Sequence, residues 1–242
     1  MPKTTFSLLR ALNGAPDRAR SYGGASHVFP SKIVEQYFSS SRLIDSLIRD
    51  LVLGHVIRWK EILESFEFFS ETRKVVRSAS MADVCCGHGL TGILFALLEK
   101  SVEQVRLIDE SLPASTVRVL ETAIQLGPWV KEKVSTTESG LTRLESSLPD
   151  GTAVLAVHGC GSLTDQALDL AMEVAGPVAV MPCCCHPRLP GAPPVLFREL
   201  GVKDGVDVHR TYRLSDAGYH VRWRYVPEDI TPMNRIILAT RR

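Results

Sequence analysis

The sequence predicts an α/β protein in which a doubly wound, largely parallel sheet of seven strands follows a helical N-terminal extension. Two observations lead there. From Ser80 onward, short apolar runs of strand length alternate with longer amphipathic stretches, the rhythm of strands buried on both faces and joined by covering helices. Before that point the apolar spacing is helical. The 242 residues, 45% hydrophobic and 23% charged, suit one large globular domain plus an extension and exclude a disordered or fibrous chain.

In the extension, residues 1–75, apolar side chains fall at Ile33, Val34, Tyr37 and Phe38, then at Leu43, Ile44, Leu47, Ile48, Leu51 and Val52. Ser39, Ser40 and Ser41 mark the break between two helices. Helical spacing continues over residues 56–77, through Phe66, Phe68 and Phe69 to a basic turn at Arg73, Lys74 and Arg77. His55, Trp59 and the three phenylalanines read as core.

The second domain, residues 76–242, opens with runs at Ala82–Cys86, Gln104–Asp109, Lys133–Thr137, Ala153–His158 and Val178–Cys183. Each of the first four leads into a helical stretch, whereas Pro and Gly after the fifth argue against a helix there. Tyr219, Val221, Trp223 and Tyr225 alternate with His220, Arg222 and Arg224, and Ile236–Ala239 is a final run, so a hairpin-like pair completes seven strands.

The longest apolar stretch, around Pro177 to Cys185, is far short of the roughly 20 residues that a membrane-spanning helix needs. Cys85, Cys86, Cys160, Cys183, Cys184 and Cys185 include three in a row, which suits a reducing compartment rather than disulfide pairing. That points to the cytoplasm. Organellar import is the alternative, because the first 34 residues carry Lys3, Arg10, Arg18, Arg20 and Lys32 against Asp17 alone. Charge is segregated: residues 1–80 carry 12 basic and 8 acidic side chains, residues 81–187 carry 6 and 13, and residues 188–242 carry 10 and 6. Basic flanks around an acidic centre suit an anionic substrate held beside a small cofactor, and scattered solvated charge is the other reading.

In a parallel sheet, ligands lie outside the carboxyl ends of the strands. The first strand ends Asp83-Val84-Cys85-Cys86-Gly87-His88-Gly89-Leu90 and enters a helix, and Gly87, Gly89 and Gly92 keep the spacing of a dinucleotide loop. Asp83, four residues ahead of Gly87, would repel a pyrophosphate and suits a cation-bearing ligand. Asp109, ending the second run, is placed to accept hydrogen bonds from ribose hydroxyls.

In these motifs the sequence resembles the class I S-adenosylmethionine-dependent methyltransferases, over about residues 80–240. The resemblance implies a Rossmann-like seven-stranded methyltransferase sheet and S-adenosyl-L-methionine as cofactor. It implies that Asp83, Cys85, Gly87, His88, Gly89 and Asp109 bind the cofactor, with Glu138 beyond the third strand on the adenine amino group. Where the family commonly has a glycine two residues after the first acid, this chain has Cys85.

The fourth strand ends His158-Gly159-Cys160-Gly161, followed by Ser162-Leu163-Thr164-Asp165, and the fifth ends Pro182-Cys183-Cys184-Cys185-His186. These segments look like those of a methyltransferase subgroup that includes the eukaryotic tRNA 2′-O-methyltransferases acting on the acceptor stem. RNA modification, on tRNA or rRNA, is therefore what the resemblance implies. The residues themselves leave three chemistries open. His158 or His186 serves as a general base, with Thr164 and Asp165 orienting it or capping the next helix. Cys160 or Cys183 attacks a pyrimidine ring, although the aspartate-containing motif of the cytosine-5 enzymes is missing. A zinc ion bound by the Cys/His cluster is the third, disfavoured because consecutive cysteines on a strand point in alternating directions, so no metal is assigned. Arg222, Arg224, Arg241 and Arg242 are placed for phosphate contacts. A nicotinamide-dependent oxidoreductase and a catalytically inactive methyltransferase-fold binding subunit are the alternative functions. Neither the methyl acceptor nor the oligomeric state is read from the sequence.

Overall fold

A computed structural model describes residues 3–20, 31–143, 148–157, 159–183 and 192–241. A 3₁₀ turn at Arg10–Gly14 precedes helices α1 (Asp17–Arg20), α2 (Ser31–Tyr37), α3 (Leu43–Leu53) and α4 (Trp59–Thr72). Then come β1 (Ser80–Val84), α5 (Leu90–Leu98), β2 (Gln104–Asp109), α6 (Ala114–Leu126), α7 (Val130–Lys133) and β3 (Val134–Glu138). After a 3₁₀ turn at Leu141–Arg143 the chain forms β4 (Ala153–Val157), α8 (Leu163–Glu173), β5 (Val178–Met181), α9 (Pro194–Asp216), β6 (Tyr219–Tyr225) and β7 (Arg235–Arg241).

The seven strands form one sheet in the order β3-β2-β1-β4-β5-β7-β6. The first five are parallel, while β7 runs antiparallel between β5 and β6. The expected Rossmann-like sheet with a helical N-terminal extension is thus present, and the hairpin is folded so that its second strand lies inside.

Alternation along each strand sends side chains to two cores. On one face Met81, Val105, Leu107, Leu155, Met181 and Leu238 pack with α4, α5 and the N-terminal helices. On the other, Ala82, Val84, Ile108, Val154, Val180 and Ile237 meet α8, Leu214 and Tyr219. Phe66, Phe68 and Phe69 are fully buried in α4 and Trp59 nearly so, with its indole N–H donated to the Ala19 carbonyl at 3.0 Å. His55, expected in the core, is exposed with φ +51°, because the chain turns sharply just past the end of α3.

Glu67 ties the N-terminal segment to α4. Its side chain is fully buried and accepts the backbone N–H groups of Ser7, Leu8 and Leu9 at 2.7, 3.0 and 3.0 Å. Charge-assisted bonds to three successive amides satisfy a carboxylate that would otherwise be costly to bury. Residues 3–20 therefore belong to the same hydrophobic cluster as the sheet face they cover.

The helix α9 is a correction to the expectation of an irregular connection after β5. Pro194 sits at the start of the helix, where its missing N–H costs nothing. Gly201, with φ 76° and ψ 168°, is non-helical and divides α9 into two helical segments that meet at a kink.

Candidate active site

The glycine-rich loop between β1 and α5 is built by close approach of backbone to side chains. Gly89 caps α5 with φ +71°, and a Cβ there would lie 2.8 Å from Leu107 Cδ1. A Cβ at Gly92 would lie 2.7 Å from Leu107 Cδ2 and 2.9 Å from Asp83 Cβ. These two glycines let α5 settle onto β1 and β2. Gly87 differs: its φ is +50°, and a Cβ would meet nothing within 4 Å. Its open side borders the space at the carboxyl ends of β1 and β2, so the loop presents bare backbone to a ligand there.

Cys85, where a glycine is common, adopts φ +53°, the left-handed conformation that glycine takes without strain. Its half-buried side chain packs against the second core and its thiol is pushed up to about 12, by burial first and then by the charges of Asp109 and Asp83. Cys86 packs against the first core, and burial raises its thiol as well. Both stay protonated near neutral pH.

Two carboxylates brace the loop. Asp83, 1% exposed on β1, accepts the Gly92 N–H at 2.8 Å, and burial pushes its carboxyl up to about 7 against the lowering effect of that bond. Asp109 at the end of β2 accepts the Gly87 N–H at 2.9 Å. Thr116 of α6, absent from the sequence reading, donates its hydroxyl to the Gly87 carbonyl at 2.7 Å, so Gly87 is gripped from both sides. His88 Nδ1 accepts the Leu90 N–H at 3.1 Å at the start of α5. Glu138, exposed at the end of β3, accepts the Leu112 N–H at 3.0 Å in the loop after β2. Asp83, Cys85, Gly87, His88, Gly89, Asp109 and Glu138 thus gather along the ends of β1, β2 and β3.

The candidate catalytic residues divide. His158 and His186, with Cys184 and Cys185, lie outside the described residues. Cys160 and Cys183 come together just past β4 and β5, with their sulfurs 2.8 Å apart. Among the described residues no group of three or more His, Cys, Asp and Glu side chains is arranged to hold a metal ion. Thr164 hydrogen-bonds back to the Gly159 carbonyl and pins the turn into α8. Asp165 is committed to α9: Arg210 meets it with two nitrogens, at 3.1 and 2.7 Å, and Arg213 adds a contact at 3.2 Å.

Arg210 itself was not foreseen. Fully buried, it also reaches the Gly161 carbonyl at 3.4 Å and Asp207 at 3.3 Å, and Asp207 passes to Arg235 of β7 at 2.9 Å. The network ties the turn after β4 to α9 and β7. Asp207 and Arg210 stand three residues apart, as helical ion pairs do, but the reach to Asp165 spans 45 residues and leaves no local sequence signal.

A seven-stranded sheet of this order, with a glycine loop gripped between acids on β1 and β2, defines a class I S-adenosylmethionine-dependent methyltransferase. The chain belongs to the family of methyltransferase domains, whose sequence pattern matches residues 57–191. S-adenosyl-L-methionine is its cofactor, which supplies an electrophilic methyl group on sulfonium. The bare backbone at Gly87 fits such a ligand. No curated protein matches the chain. Among solved structures, it is similar to the methyltransferase domain of bacterial CtHen1, at 16% identity and TM-score 0.49, covering 74% of this chain and 98% of that one. It is also similar to the 16S rRNA (adenine(1408)-N(1))-methyltransferase of Catenulisporales acidiphilia, at 17% identity and TM-score 0.42, covering 72% and 88%. Likenesses at this level say nothing of substrate. Among the described residues, no helix is long and apolar enough to cross a membrane.

Proposed function

We propose that this chain transfers the methyl group of S-adenosylmethionine to RNA, tRNA or rRNA. The observation that carries the reading is a basic row on β6. His220, Arg222 and Arg224 are all exposed, while Tyr219, Val221 and Trp223 turn the other way into the second core. Among the described residues neither Arg222 nor Arg224 forms an ion pair with an acid, and Arg222 donates its Nε to His220 Nε2 at 2.9 Å, which leaves its terminal nitrogens and the Arg224 guanidinium for phosphates. The row climbs toward the active-site end of the sheet. Arg224 is in register with Ile236, next to Ile237, which pairs with Val180 of β5. At the spacing of neighbouring strands, Arg224 therefore stands about 10 Å to the side of the end of β5. The resemblance of the His158-to-Asp165 and Pro182-to-His186 segments to tRNA 2′-O-methyltransferases agrees with a polyanionic acceptor.

In this reading Asp83, Cys85, Gly87, His88, Gly89, Asp109 and Glu138 hold the cofactor. His158 removes the acceptor proton as the methyl group moves, with His186 as the alternative base. Asp165, gripped by Arg210 and Arg213, is a positioning residue that fixes the turn carrying Cys160. Attack of Cys160 or Cys183 on a pyrimidine is the second reading, favoured by the meeting of their sulfurs.

The test is transfer of radiolabelled methyl from S-adenosylmethionine into RNA, with nuclease digestion to show that the label resides there. RNA affinity should fall steeply with salt, and joint Arg222→Ala and Arg224→Ala substitution should flatten the slope by about two phosphate contacts while cofactor affinity holds. A flat salt response in the wild type would sink the proposal. His158→Ala should slow turnover by roughly 10²–10⁴, whereas covalent chemistry would instead yield a denaturation-resistant adduct with 5-fluoropyrimidine RNA.

A further inference from the structure

The structure assigns Cys160 and Cys183 as a redox modification site, a dithiol that an oxidant of the peroxide class converts to a disulfide across the ends of β4 and β5. The sulfurs stand 2.8 Å apart, whereas a disulfide bond is about 2.05 Å long, so closure needs less than an ångström of movement. Cys160 lies in a turn past β4 and Cys183 two residues past the end of β5, and β4 and β5 are hydrogen-bonded neighbours, so the two anchors are held side by side. Cys160 is exposed and Cys183 partly so, which gives an oxidant access. Cys85 and Cys86 lack that reactivity, since burial and the nearby carboxylates disfavour their thiolates.

The chemistry balances without a metal. Cys160 Sγ attacks one peroxide oxygen, the O–O bond breaks, and water leaves with the thiol proton, giving a sulfenic acid at Cys160. Cys183 Sγ then attacks that sulfur, the S–O bond breaks, and a second water carries off the Cys183 proton. Two thiols have lost two electrons and one peroxide has gained them. The bond joins the turn leading into α8 to the chain leaving β5, fixing the two segments between which the acceptor reaches the methyl group. This effect on turnover rests on the proposed site; the cross-link does not.

The test oxidises the full chain with hydrogen peroxide, blocks residual thiols with maleimide and identifies linked peptides by fragment-ion mass spectrometry. A species lighter by about 2 Da should join Cys160 to Cys183 and revert with dithiothreitol. Cys160→Ser and Cys183→Ser should each abolish it, and Cys85→Ser should leave it. Amide exchange over residues 159–163 should slow by about tenfold in the oxidised form, a readout independent of any RNA substrate. Where RNA methylation is measurable, it should fall on oxidation and return on reduction. Linkage of Cys160 to Cys184 or Cys185, or overoxidation of Cys160 with no linkage, overturns the assignment. So does a Cys160–Cys183 bond that leaves exchange unchanged. Failure of the RNA reading would show instead as absent methyl incorporation in the reduced chain that still forms the bond.

Discussion

Asp109 is the residue at which cofactor binding is most directly put to the test. Its carboxylate accepts the Gly87 N–H at 2.9 Å and remains partly exposed toward the space at the end of β2. A hydrogen bond to a charged partner contributes about 1.5–3 kcal/mol, so Asp109→Ala should weaken S-adenosylhomocysteine binding roughly 10- to 150-fold from one such contact to a ribose hydroxyl. Releasing Gly87 adds to the loss by loosening the loop. Asp109→Asn keeps an acceptor for the Gly87 N–H but drops the charge, and a loss of about 1 kcal/mol, some fivefold, is expected. Isothermal titration calorimetry gives both affinities, and circular dichroism shows whether the fold persists. Asp109→Ala binding S-adenosylhomocysteine as tightly as the wild type would refute the reasoning, because among the described residues no other acid braces this loop from β2.

Three further expectations concern stability. The Asp83 carboxyl is raised to about 7 in the folded state against an ordinary 3.8, so the native protein holds a proton that the unfolded chain has released. Its contribution is therefore greatest at acid pH and is lost as pH rises toward 7, by about 2.5 kcal/mol between pH 5 and pH 8. Urea denaturation of the wild type against Asp83→Asn should show that difference in slope, and parallel pH profiles would count against it. At Cys85, Cys85→Gly should change stability by no more than about 1 kcal/mol, because relief at φ +53° offsets added chain entropy. Cys85→Val should cost more than about 2 kcal/mol in the same denaturation assay, since a β-branched side chain tolerates that φ poorly. Arg210→Met should cost about 2–3 kcal/mol by removing the buried link between Asp165, which keeps Arg213, and Asp207, which keeps Arg235, and Arg210→Lys should not rescue it, a single ammonium being unable to match the two-nitrogen contact. Thermal melts near wild type for both would show that the network is not stabilising.

What was legible in the sequence was what is local. β2 runs from Gln104 to Asp109 as read, because an interior parallel strand buried on both faces shows an apolar run with a clear polar end. Gly87, Gly89 and Gly92 announced a loop because they act through their own backbone. The break at Ser39–Ser41 separated α2 from α3 for the same reason. α9 escaped because proline and glycine stop helices in general, yet Pro194 stands where proline is harmless, and past the break at Gly201 a second helical segment follows at once. The Asp165–Arg210 and Asp207–Arg235 links and the hydroxyl of Thr116 were hidden, since their partners lie 28 or more residues apart and obey no repeat. The nearness of the β4 and β5 ends followed from strand order, whereas the contact between Cys160 and Cys183 depends on how the chain leaves each strand.

The position of β7 has a consequence for how the protein is made. It is the last of the seven strands to leave the ribosome, yet it takes an interior place, hydrogen-bonded to β5 on one side and β6 on the other. Until residues 235–241 emerge, β5 presents a bare edge of unpaired amides and carbonyls, and Val178 and Val180 lack the Ala239 and Ile237 neighbours they will acquire. The nascent chain thus passes through an interval with an aggregation-prone edge at the site of the future active centre, and a long-range pairing is left to the end.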